Sequence, residues 1–450
     1  MVNFIKALHK KLSLSIAQYA KETKQEHLII CLFILGIGII FGNLAGILFT
    51  IALIVFSIWR PELTLVLLFF SGFLKNIEVL QKLPVDLSLL AVVLLIISSS
   101  VKIIKTKKIK KLKFIDYLVL LQGLLVLLSV IFISSGTELN WWDGGRFIVF
   151  NLSLYFGLFS LSVEEKEIIT IIQWILIGII VTISSAVHNL LFGKISSWYL
   201  SSFGESYSIL GLMIGLGMLY FFHNIFRLDR ESAQKTFSIM LFALSAFLFG
   251  FIPTRHVPFS LALTFLFIIL LKNLLKHRWR LIGVIFLSLA FYLAGLFIAS
   301  NQDVNVKRVW TYKGDYAGSF KDRADFSKGA LELIKENPIF GIGMGEFMYL
   351  HGGKGNYPHN LLLESLVSFG IFGLLIFWPV FFLSLKNSYV ILKSKNLINF
   401  EIIAIWFIFF FLDSNFSGSL SNFRTLWLFM GILSILFYSK KILYSKARNN

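Results

Sequence analysis

The chain has 450 residues, 57% of them apolar, and a mean hydropathy of +0.80. Soluble domains are about 45–50% apolar, so this composition excludes an ordinary soluble protein. The net charge of +18 does not by itself indicate a nucleic-acid partner, because basic residues collect in the cytoplasmic loops of membrane proteins. The single cysteine, Cys31, excludes an intrachain disulfide and a metal site built from cysteines.

Long apolar runs between short charged clusters predict an all-α polytopic membrane protein. About 14 transmembrane helices are expected, with 12 or 13 as alternatives because 62–75 and 237–252 are short for a core of ~30 Å. The residues before the first helix are polar and basic and lack a signal-peptide pattern, so the first helix is expected to direct insertion. The predicted helices are 27–42, 44–59, 62–75, 83–99, 114–135, 145–162, 167–189, 205–226, 237–252, 257–271, 281–299, 358–384, 398–414 and 422–439.

The distribution of basic residues predicts the orientation of the chain. The segment KIIKTKKIKKLK at 102–113 is expected to be cytoplasmic under the positive-inside rule. Counting from it places both termini inside and leaves one long external loop, which is periplasmic or extracellular. The predicted divisions are a cytoplasmic segment 1–26, a helix bundle 27–299, the external loop 300–357, C-terminal helices 358–439 and a cytoplasmic tail 440–450.

Two polar positions interrupt the apolar pattern in the first part of the chain. Arg146 follows two tryptophans in WWDGGRFIVF, which is typical of an interfacial belt, so anchoring is the first interpretation and a sugar contact the second. The segment FIPTRHVPF at 251–259 breaks two hydrophobic runs with prolines. Arg255 and His256 lie at this break, where snorkelling to lipid headgroups and a role in a site are both open.

The external loop is expected to contain an amphipathic helix. In DRADFSKGALELIKENP, apolar residues recur at helical spacing, and Asn337-Pro338 is expected to end the helix. A helix on the membrane surface is the plain interpretation. Arg323, near the helix start, is a candidate for binding phosphate, because backbone N–H groups there favour anions and a guanidinium can bind phosphate in a bidentate way.

Glycine-rich and polar residues follow this helix. GIGMGEF at 341–347 allows tight turns but lacks the βαβ context of a dinucleotide site. The preferred interpretation of Glu346 in this segment is an ordinary loop carboxylate, and the alternative is a residue that orients sugar. Arg424 lies at the start of the last predicted helix, and its side chain could either anchor the helix at the membrane interface or belong to a site.

The stretch PHNLLLESLVSFGIFG, residues 358–373, places polar residues at the start of a membrane helix. Glu364 would lie ~7.5 Å along the helix, at a depth where an ionisable group is costly and is functional by default. Asn360 and Glu364 share one helix face. Gly370 and Gly373 are interpreted as packing positions where small residues let helices approach.

These motifs resemble those of the O-antigen ligase and O-antigen polymerase family. His359-Asn360, nine residues, then Gly370-x-x-Gly373 is similar to the family signature. DRADFSKGALELIKENPIFGIGMGEF resembles the segment before that histidine, and PTRHVPFSL resembles the Ser/Thr-Arg motif. The resemblance covers roughly 250–435. His256 and a Val-Pro pair stand where many members have small residues, so the assignment of Arg255 is less secure than that of His359.

The resemblance implies glycosyl transfer by a fold related to the C-type membrane glycosyltransferases, without a metal or other cofactor. The donor would be a glycan on undecaprenyl diphosphate and the acceptor a glycan or lipid A–core. His359 and Glu364 would be catalytic. Sugar would be oriented by Asn360, Glu346 and Arg146. The diphosphate would be bound by three arginines, Arg255, Arg323 and Arg424.

Four functions remain open from the sequence. A polymerase of surface polysaccharide (O-antigen or capsule) is favoured over a ligase of lipopolysaccharide because the chain has a single external loop and no long soluble domain. A branch of the family that glycosylates proteins often has a large C-terminal extension, so this function is less favoured. A membrane transporter would need internal repeats and paired broken helices, which are not evident. The expected location is the bacterial inner membrane, with membrane lipids, a flippase and a chain-length regulator as partners and no nucleic acid.

Overall fold

The computed structural model describes residues 26–107, 110–192, 207–227, 232–272, 274–301, 318–351 and 356–448. Within these ranges the regular structure is helical, without a strand, and the all-α class is confirmed. Among the described residues, eight helices are long and apolar enough to cross a membrane, and five shorter apolar helices accompany them. The chain is therefore a multi-pass membrane protein, and the figure of 14 membrane crossings stays a prediction.

The helices are numbered in chain order. Short irregular or 3₁₀ turns, Leu274–His277 and Lys395–Phe400, precede α13 and α17. The α-helices are α1 Glu26–Phe41, α2 Asn43–Ser57, α3 Leu63–Leu74, α4 Glu78–Gln81, α5 Leu87–Thr106, α6 Phe114–Phe132, α7 Glu138–Arg146, α8 Leu152–Ser160, α9 Glu165–Leu191, α10 Tyr207–Phe226, α11 Ser232–Phe249, α12 His256–Leu271, α13 Arg278–Asn301, α14 Gly318–Glu336, α15 Glu346–Leu350, α16 Leu361–Lys393, α17 Glu401–Ser414 and α18 Arg424–Arg448.

Each segment predicted as a membrane helix contains a helix, with ends that move by several residues. The predicted helix 145–162 is in fact part of a longer run, α7 and α8 joined by a π-helical turn, Phe147–Asn151. Such turns insert one extra residue per turn and recur at functional sites. All but the last residue of the predicted segment 1–26, and residues 302–317 of the predicted loop, lie outside the described residues.

Helix α17 forms the centre of the bundle. It packs against α10, α12, α16 and α18, and nearly every residue from Glu401 to Ser414 is buried. Its sequence EIIAIWFIFFFLDS is apolar all round, as expected of a helix with protein on every side. The two carboxylates, Glu401 and Asp413, occupy its two ends. Each end of the bundle therefore contains a buried carboxylate around which other polar side chains gather.

Helix α16 is broken at Gly370, where φ is 59° and ψ is −146°. The turn 338–343 inserts at this break: Ile342 N donates to Val367 O at 2.8 Å and Gly343 N to Ser368 O at 3.0 Å. A Cβ on Gly370 would lie 2.3 Å from Ile339 O, so only glycine fits. Gly370 is expected from the sequence to let another helix approach closely. A close approach is present, but the element that approaches Gly370 is the turn 338–343.

The amphipathic helix α14 is confirmed and ends at Glu336, just before Asn337-Pro338. Its buried Ala330 packs with Phe347 and Val367, and Phe326, Leu333, Ile334, Ile342 and Leu363 surround this cluster. The apolar face of α14 therefore lies against the first turns of α16 and against α15. The turn 338–343 and this cluster together hold α14 against the bundle.

Candidate functional site

The candidate site lies at one end of the bundle, where α12, α16 and α18 begin and α17 ends. We call this the site end, and the end that carries Glu401 the opposite end. Irregular segments gather at the site end because helices stop there: residues 250–255 between α11 and α12, 356–360 before α16, and 415–423 between α17 and α18. Such segments leave backbone and side-chain polar groups available for binding.

The break expected at 251–259 is present, since α11 ends at Phe249 and α12 begins at His256. Pro258 falls in the first turn of α12, where a missing N–H is tolerated. Arg255 directly precedes the helix and is half-buried, and the hydroxyl of Thr254 is buried without a hydrogen-bond partner among the described residues. The prolines thus end one helix and start the next beside polar side chains.

His256 is paired with Asp413, the carboxylate at the end of α17. His256 Nδ1 lies 2.8 Å from Asp413 Oδ1, and Ser260 Oγ donates to the same oxygen at 3.1 Å. His256 and Ser260 are one helical turn apart, so both face α17. All three residues are buried. His256 Nε2 and Asp413 Oδ2 are buried without a hydrogen-bond partner in the described part of the chain.

His359 lies beside this pair with a left-handed backbone, φ 56°. Non-glycine residues in this region carry strain that recurs at functional sites. The imidazole centroid lies 4.2 Å from the ring of Tyr357 and 6.4 Å from that of Phe326. His359 Nδ1 is buried and has no hydrogen-bond partner within the described ranges. The ring is thus held by aromatic contacts, with a nitrogen left for another group.

The surroundings of Tyr357 and His359 keep both side chains uncharged at neutral pH. Both residues precede α16 and lie outside the membrane-spanning segment. Burial lowers the pKa of His359 to about 4, and the nearby charges of Arg323 and His256 add to this effect. Burial also raises the pKa of Tyr357 to about 12. At neutral pH the imidazole and the phenol are therefore hydrogen-bonding groups without charge.

Arg323, near the start of α14, reaches the same region. Its Nη1 donates to Phe416 O, in the segment after α17, at 3.1 Å, and its charge acts on the pKa of both His359 and Tyr357. The structure therefore brings Arg323 and His359 together at the site end, with Arg255 preceding His256 there. The predicted contacts of Arg255 and Arg323 with a diphosphate stay predictions.

Asn360 and Glu364 share one helix face, as expected, but their side chains hold the protein together. Asn360 Oδ1 caps α16 by accepting from Leu363 N at 3.0 Å, and its Nδ2 donates to Asn415 O at 3.3 Å. Glu364 is buried, and its Oε2 accepts from Leu420 N at 2.8 Å. These bonds fix the segment 415–423 against α16, so the geometry supports a structural role, and the predicted roles in catalysis and sugar binding stay predictions.

Glu346 is also occupied by the protein. Its Oε2 accepts from Ser135 N at 2.9 Å, from Ser135 Oγ at 2.8 Å and from Asn140 Nδ2 at 3.1 Å. Asn140 Nδ2 further donates to Met344 O at 2.9 Å. The carboxylate thus ties the glycine-rich segment to the loop before α7. The plain interpretation of a loop carboxylate fits this geometry better than the sugar-orienting one, which stays untested.

Arg146 and Arg424 form a second group near the start of α18. Arg424 Nη1 donates to Ser71 Oγ and Ser88 Oγ at 3.1 Å each, and its guanidinium lies against Gly72, where any Cβ would collide with it. Arg146 covers the ring of Trp142 at 4.3 Å, as an interfacial anchor would. Asp143 accepts from Ser421 nearby. Arg424 is thus directed into the α3–α5 interface, and its predicted contact with a diphosphate stays a prediction.

The sequence interpretation missed the partnership of His256 with Asp413. The two residues are 157 positions apart, so no local pattern joins them. The available signal was Asp413 itself, an ionisable residue in the last turn of an otherwise apolar helix. Among the described residues, no group of three or more His, Cys, Asp or Glu side chains is placed to hold a metal ion.

The fold and this end of the bundle define a multi-pass helical membrane protein with a polar site built from histidines and arginines. The model of the O-antigen ligase family matches residues 256–378. The matched segment runs from His256 past His359 and the break at Gly370, and it is the part of the chain that is similar to this family. The resemblance seen in the sequence is thus confirmed. A comparison with curated proteins gave no match.

Proposed function

We propose that this chain is a membrane glycosyltransferase that joins undecaprenyl diphosphate-linked oligosaccharide repeat units into a surface polysaccharide. The observation that carries the proposal is the site end itself. There Arg323, His256 and His359, all within the family segment, meet at the end of a membrane bundle. A lipid-linked donor would bring its diphosphate to this level while its polyprenyl chain remains in the bilayer.

The arginines suit the departing diphosphate. When the bond from the sugar to the diphosphate breaks, negative charge grows on the leaving oxygens. Fixed guanidinium groups in a partly dehydrated site stabilise such charge without reorganising. Arg323 is held by a hydrogen bond to Phe416 O, and Arg255 stands at the adjacent break. We assign both to the diphosphate, and the site requires no metal for this role in our proposal.

The uncharged groups suit the sugars. His359, with its pKa lowered to about 4, and the phenol of Tyr357 are neutral at pH 7 and can exchange hydrogen bonds with hydroxyl groups. Aromatic rings at Tyr357 and Phe326 flank the imidazole. An acceptor hydroxyl oriented there, attacking from the face opposite the diphosphate, would invert the anomeric centre.

The charge pattern supports an outward-facing site. Helix α5 begins beside Arg424 at the site end, where Ser88 accepts from Arg424. It therefore ends at the opposite end, within the lysine-rich segment 102–113. Because such segments remain in the cytoplasm, the site end would face the periplasm or cell exterior. Lipid-linked repeat units delivered by a flippase would be accessible there, and a chain-length regulator would act on the same side.

The second candidate is a ligase that transfers the lipid-linked glycan to lipid A–core. The observation in its favour is the matched family, whose description is O-antigen ligase. The two activities share the donor and differ only in the acceptor. The arginine and histidine roles above are therefore the same in both.

Purified protein in nanodiscs tests the proposal. The substrate is the undecaprenyl diphosphate-linked oligosaccharide extracted from the source bacterium, first with no other acceptor. A ladder of products on a gel supports a polymerase. Transfer only after lipid A–core is added supports the ligase. No transfer to either acceptor contradicts glycosyl transfer and favours a transporter, which uptake into proteoliposomes would then test.

A further inference from the structure

His256 and Asp413 form a buried pair that the family signature does not include. Asp413 Oδ1 lies 2.8 Å from His256 Nδ1 and accepts from Ser260 Oγ at 3.1 Å. A carboxylate oxygen that faces Nδ1 acts as the acceptor, which assigns the imidazole proton to Nδ1. His256 Nε2 then carries a lone pair. A carboxylate in this position fixes the tautomer and ring orientation of a histidine.

The lone-pair nitrogen has no hydrogen-bond partner in the described part of the chain, although the atom is buried. Buried polar atoms without partners are uncommon, and each calls for an explanation such as a catalytic role. Three further buried atoms at this end are also without partners among the described residues: Thr254 Oγ1, His359 Nδ1 and Asp413 Oδ2. Unpaired polar atoms thus gather around His256, where the acceptor sugar is placed under the proposed function.

His359, the histidine of the family signature, is poorly suited to accept a proton. A general base works best when its pKa is near the operating pH, and burial and neighbouring positive charges lower the pKa of His359 to about 4. His256 instead has a carboxylate at hydrogen-bond distance. Negative charge at that position stabilises the imidazolium that forms when Nε2 takes a proton. The charged and titratable groups around His256 come from four elements: Asp413 on α17, His359 before α16, Arg323 on α14, and Arg255 next to His256 in the chain.

We propose that His256, held by Asp413, is the general base that takes the proton from the acceptor hydroxyl. This inference rests on the proposed function. The acceptor oxygen forms a bond with the anomeric carbon while its proton passes to His256 Nε2. The bond from that carbon to the diphosphate oxygen breaks, and its electron pair leaves with undecaprenyl diphosphate. The imidazolium, paired with Asp413, then releases the proton to water. His359 orients the hydroxyl as a neutral hydrogen-bonding group.

The opposite end of α17 supplies a matched control. There His223 Nε2 lies 3.5 Å from Glu401 Oε2, and both residues are buried. This pair resembles the His256–Asp413 pair in residue types, burial and attachment to the same helix. It lies a full helix length from the site. A substitution of His223 therefore reproduces the structural cost of losing a buried imidazole without touching the proposed base.

The experiment compares the full-length wild-type protein with His256→Gln, Asp413→Asn, the double variant and His223→Gln, all in nanodiscs. Glycosyl transfer is measured with the extracted lipid-linked oligosaccharide and the acceptor that supports transfer by the wild type. We expect His256→Gln to lower kcat roughly 100- to 10,000-fold, with KM nearly unchanged. Asp413→Asn should lower kcat by a smaller factor, and the double variant no more than His256→Gln, because the two residues act as a unit. His223→Gln should keep the wild-type kcat.

A solvent deuterium isotope effect on kcat separates a base from a structural residue. The wild type should be slower in D₂O because the proton moves in the bond-forming step, and His256→Gln should lose this effect. A His256→Gln protein that retains wild-type kcat, or that is slower but keeps the isotope effect, overturns the inference and leaves the glycosyltransferase function intact. If His256→Gln does not fold, Asp413→Asn and its isotope effect decide. A wild-type protein without transfer to any acceptor overturns the proposed function and this inference together.

Discussion

The two ends of α17 carry similar residues in different electrostatic settings. Each end has a carboxylate paired with a histidine, Glu401 with His223 and Asp413 with His256. Each end also has an arginine that donates to a nearby backbone carbonyl: Arg227 to Ile398 O at 3.4 Å and Arg323 to Phe416 O at 3.1 Å.

The two ends differ in the other groups that contact the carboxylate. Glu401 forms an ion pair with Lys272, so a lysine balances the negative charge of the Glu401 carboxylate. Asp413 is hydrogen-bonded to the imidazole of His256 and a serine hydroxyl, and its second oxygen is without a hydrogen-bond partner among the described residues. A lysine ion pair gives a fixed structural link, whereas an imidazole pair is a group that can take and release a proton. Under the proposal above, one end of this helix would serve the structure and the other end the chemistry.

Beyond the proposed base, the largest effect should come from His359. His359→Ala removes the hydrogen-bonding group that orients the acceptor, and glycosyl transfer should fall roughly 100-fold while the protein still purifies as a folded membrane protein. Product ladders on gels and kcat measure the effect. If His223→Ala, at the opposite end, lowers kcat of the folded protein by a similar factor, the claim that only the site end takes part in glycosyl transfer is contradicted.

The paired arginines offer a second test. Arg323→Lys keeps the positive charge but loses the planar fork that binds phosphate in a bidentate way, so kcat/KM should fall about 10- to 100-fold, equivalent to ~1.4–2.8 kcal/mol. The measurement is the rate of transfer at low donor concentration. Arg227→Lys is the control, since it makes the same chemical change at the other end of α17. Equal losses in the two variants would remove Arg323 from the diphosphate site.

The break in α16 can be tested through stability. Gly370→Ala places a Cβ 2.3 Å from Ile339 O at a residue with φ 59°, and such strain costs about 1–3 kcal/mol. Thermal unfolding in nanodiscs should therefore occur at a lower temperature, with weaker transfer because α14 and Arg323 lose their support. Gly283→Ala is the control, because nothing lies within 4 Å of a Cβ there. Identical unfolding temperatures for the two variants would show that the turn 338–343 does not depend on the break.

The smallest effect concerns pH. The pKa of His359 is about 4 in the folded protein against an ordinary 6.5, so between these values the unfolded chain binds more protons. Stability is then present above about pH 6.5 and is lost as pH falls towards 4. We expect the unfolding temperature of the wild type to fall more steeply over this range than that of His359→Gln. Parallel curves for the two proteins would contradict the lowered pKa of His359, which Arg323 and His256 reinforce.

Much of the fold could be predicted from the sequence, because long apolar runs and proline breaks are local signals. The amphipathic helix α14, the break before His256 and the presence of Arg323 and His359 at one end all follow from such signals. The partners of individual side chains do not. Glu364 shares a face with Asn360 as expected, yet its carboxylate meets Leu420 N, which no sequence spacing indicates. The His256–Asp413 pair joins two helices distant in the chain and depends on how α12 and α17 pack.

The turn inserted at Gly370 imposes an order on the assembly of the protein. Residues 338–343 are synthesised before α16, yet their amides bind the carbonyls of Val367 and Ser368 inside that helix. They have no such acceptors until α16 has formed and bent at the glycine. Helix α14, with Arg323, is tethered to this turn and to Val367. The candidate site is therefore completed only after α16 has formed, and a chain that ends before α16 cannot hold Arg323 beside His359.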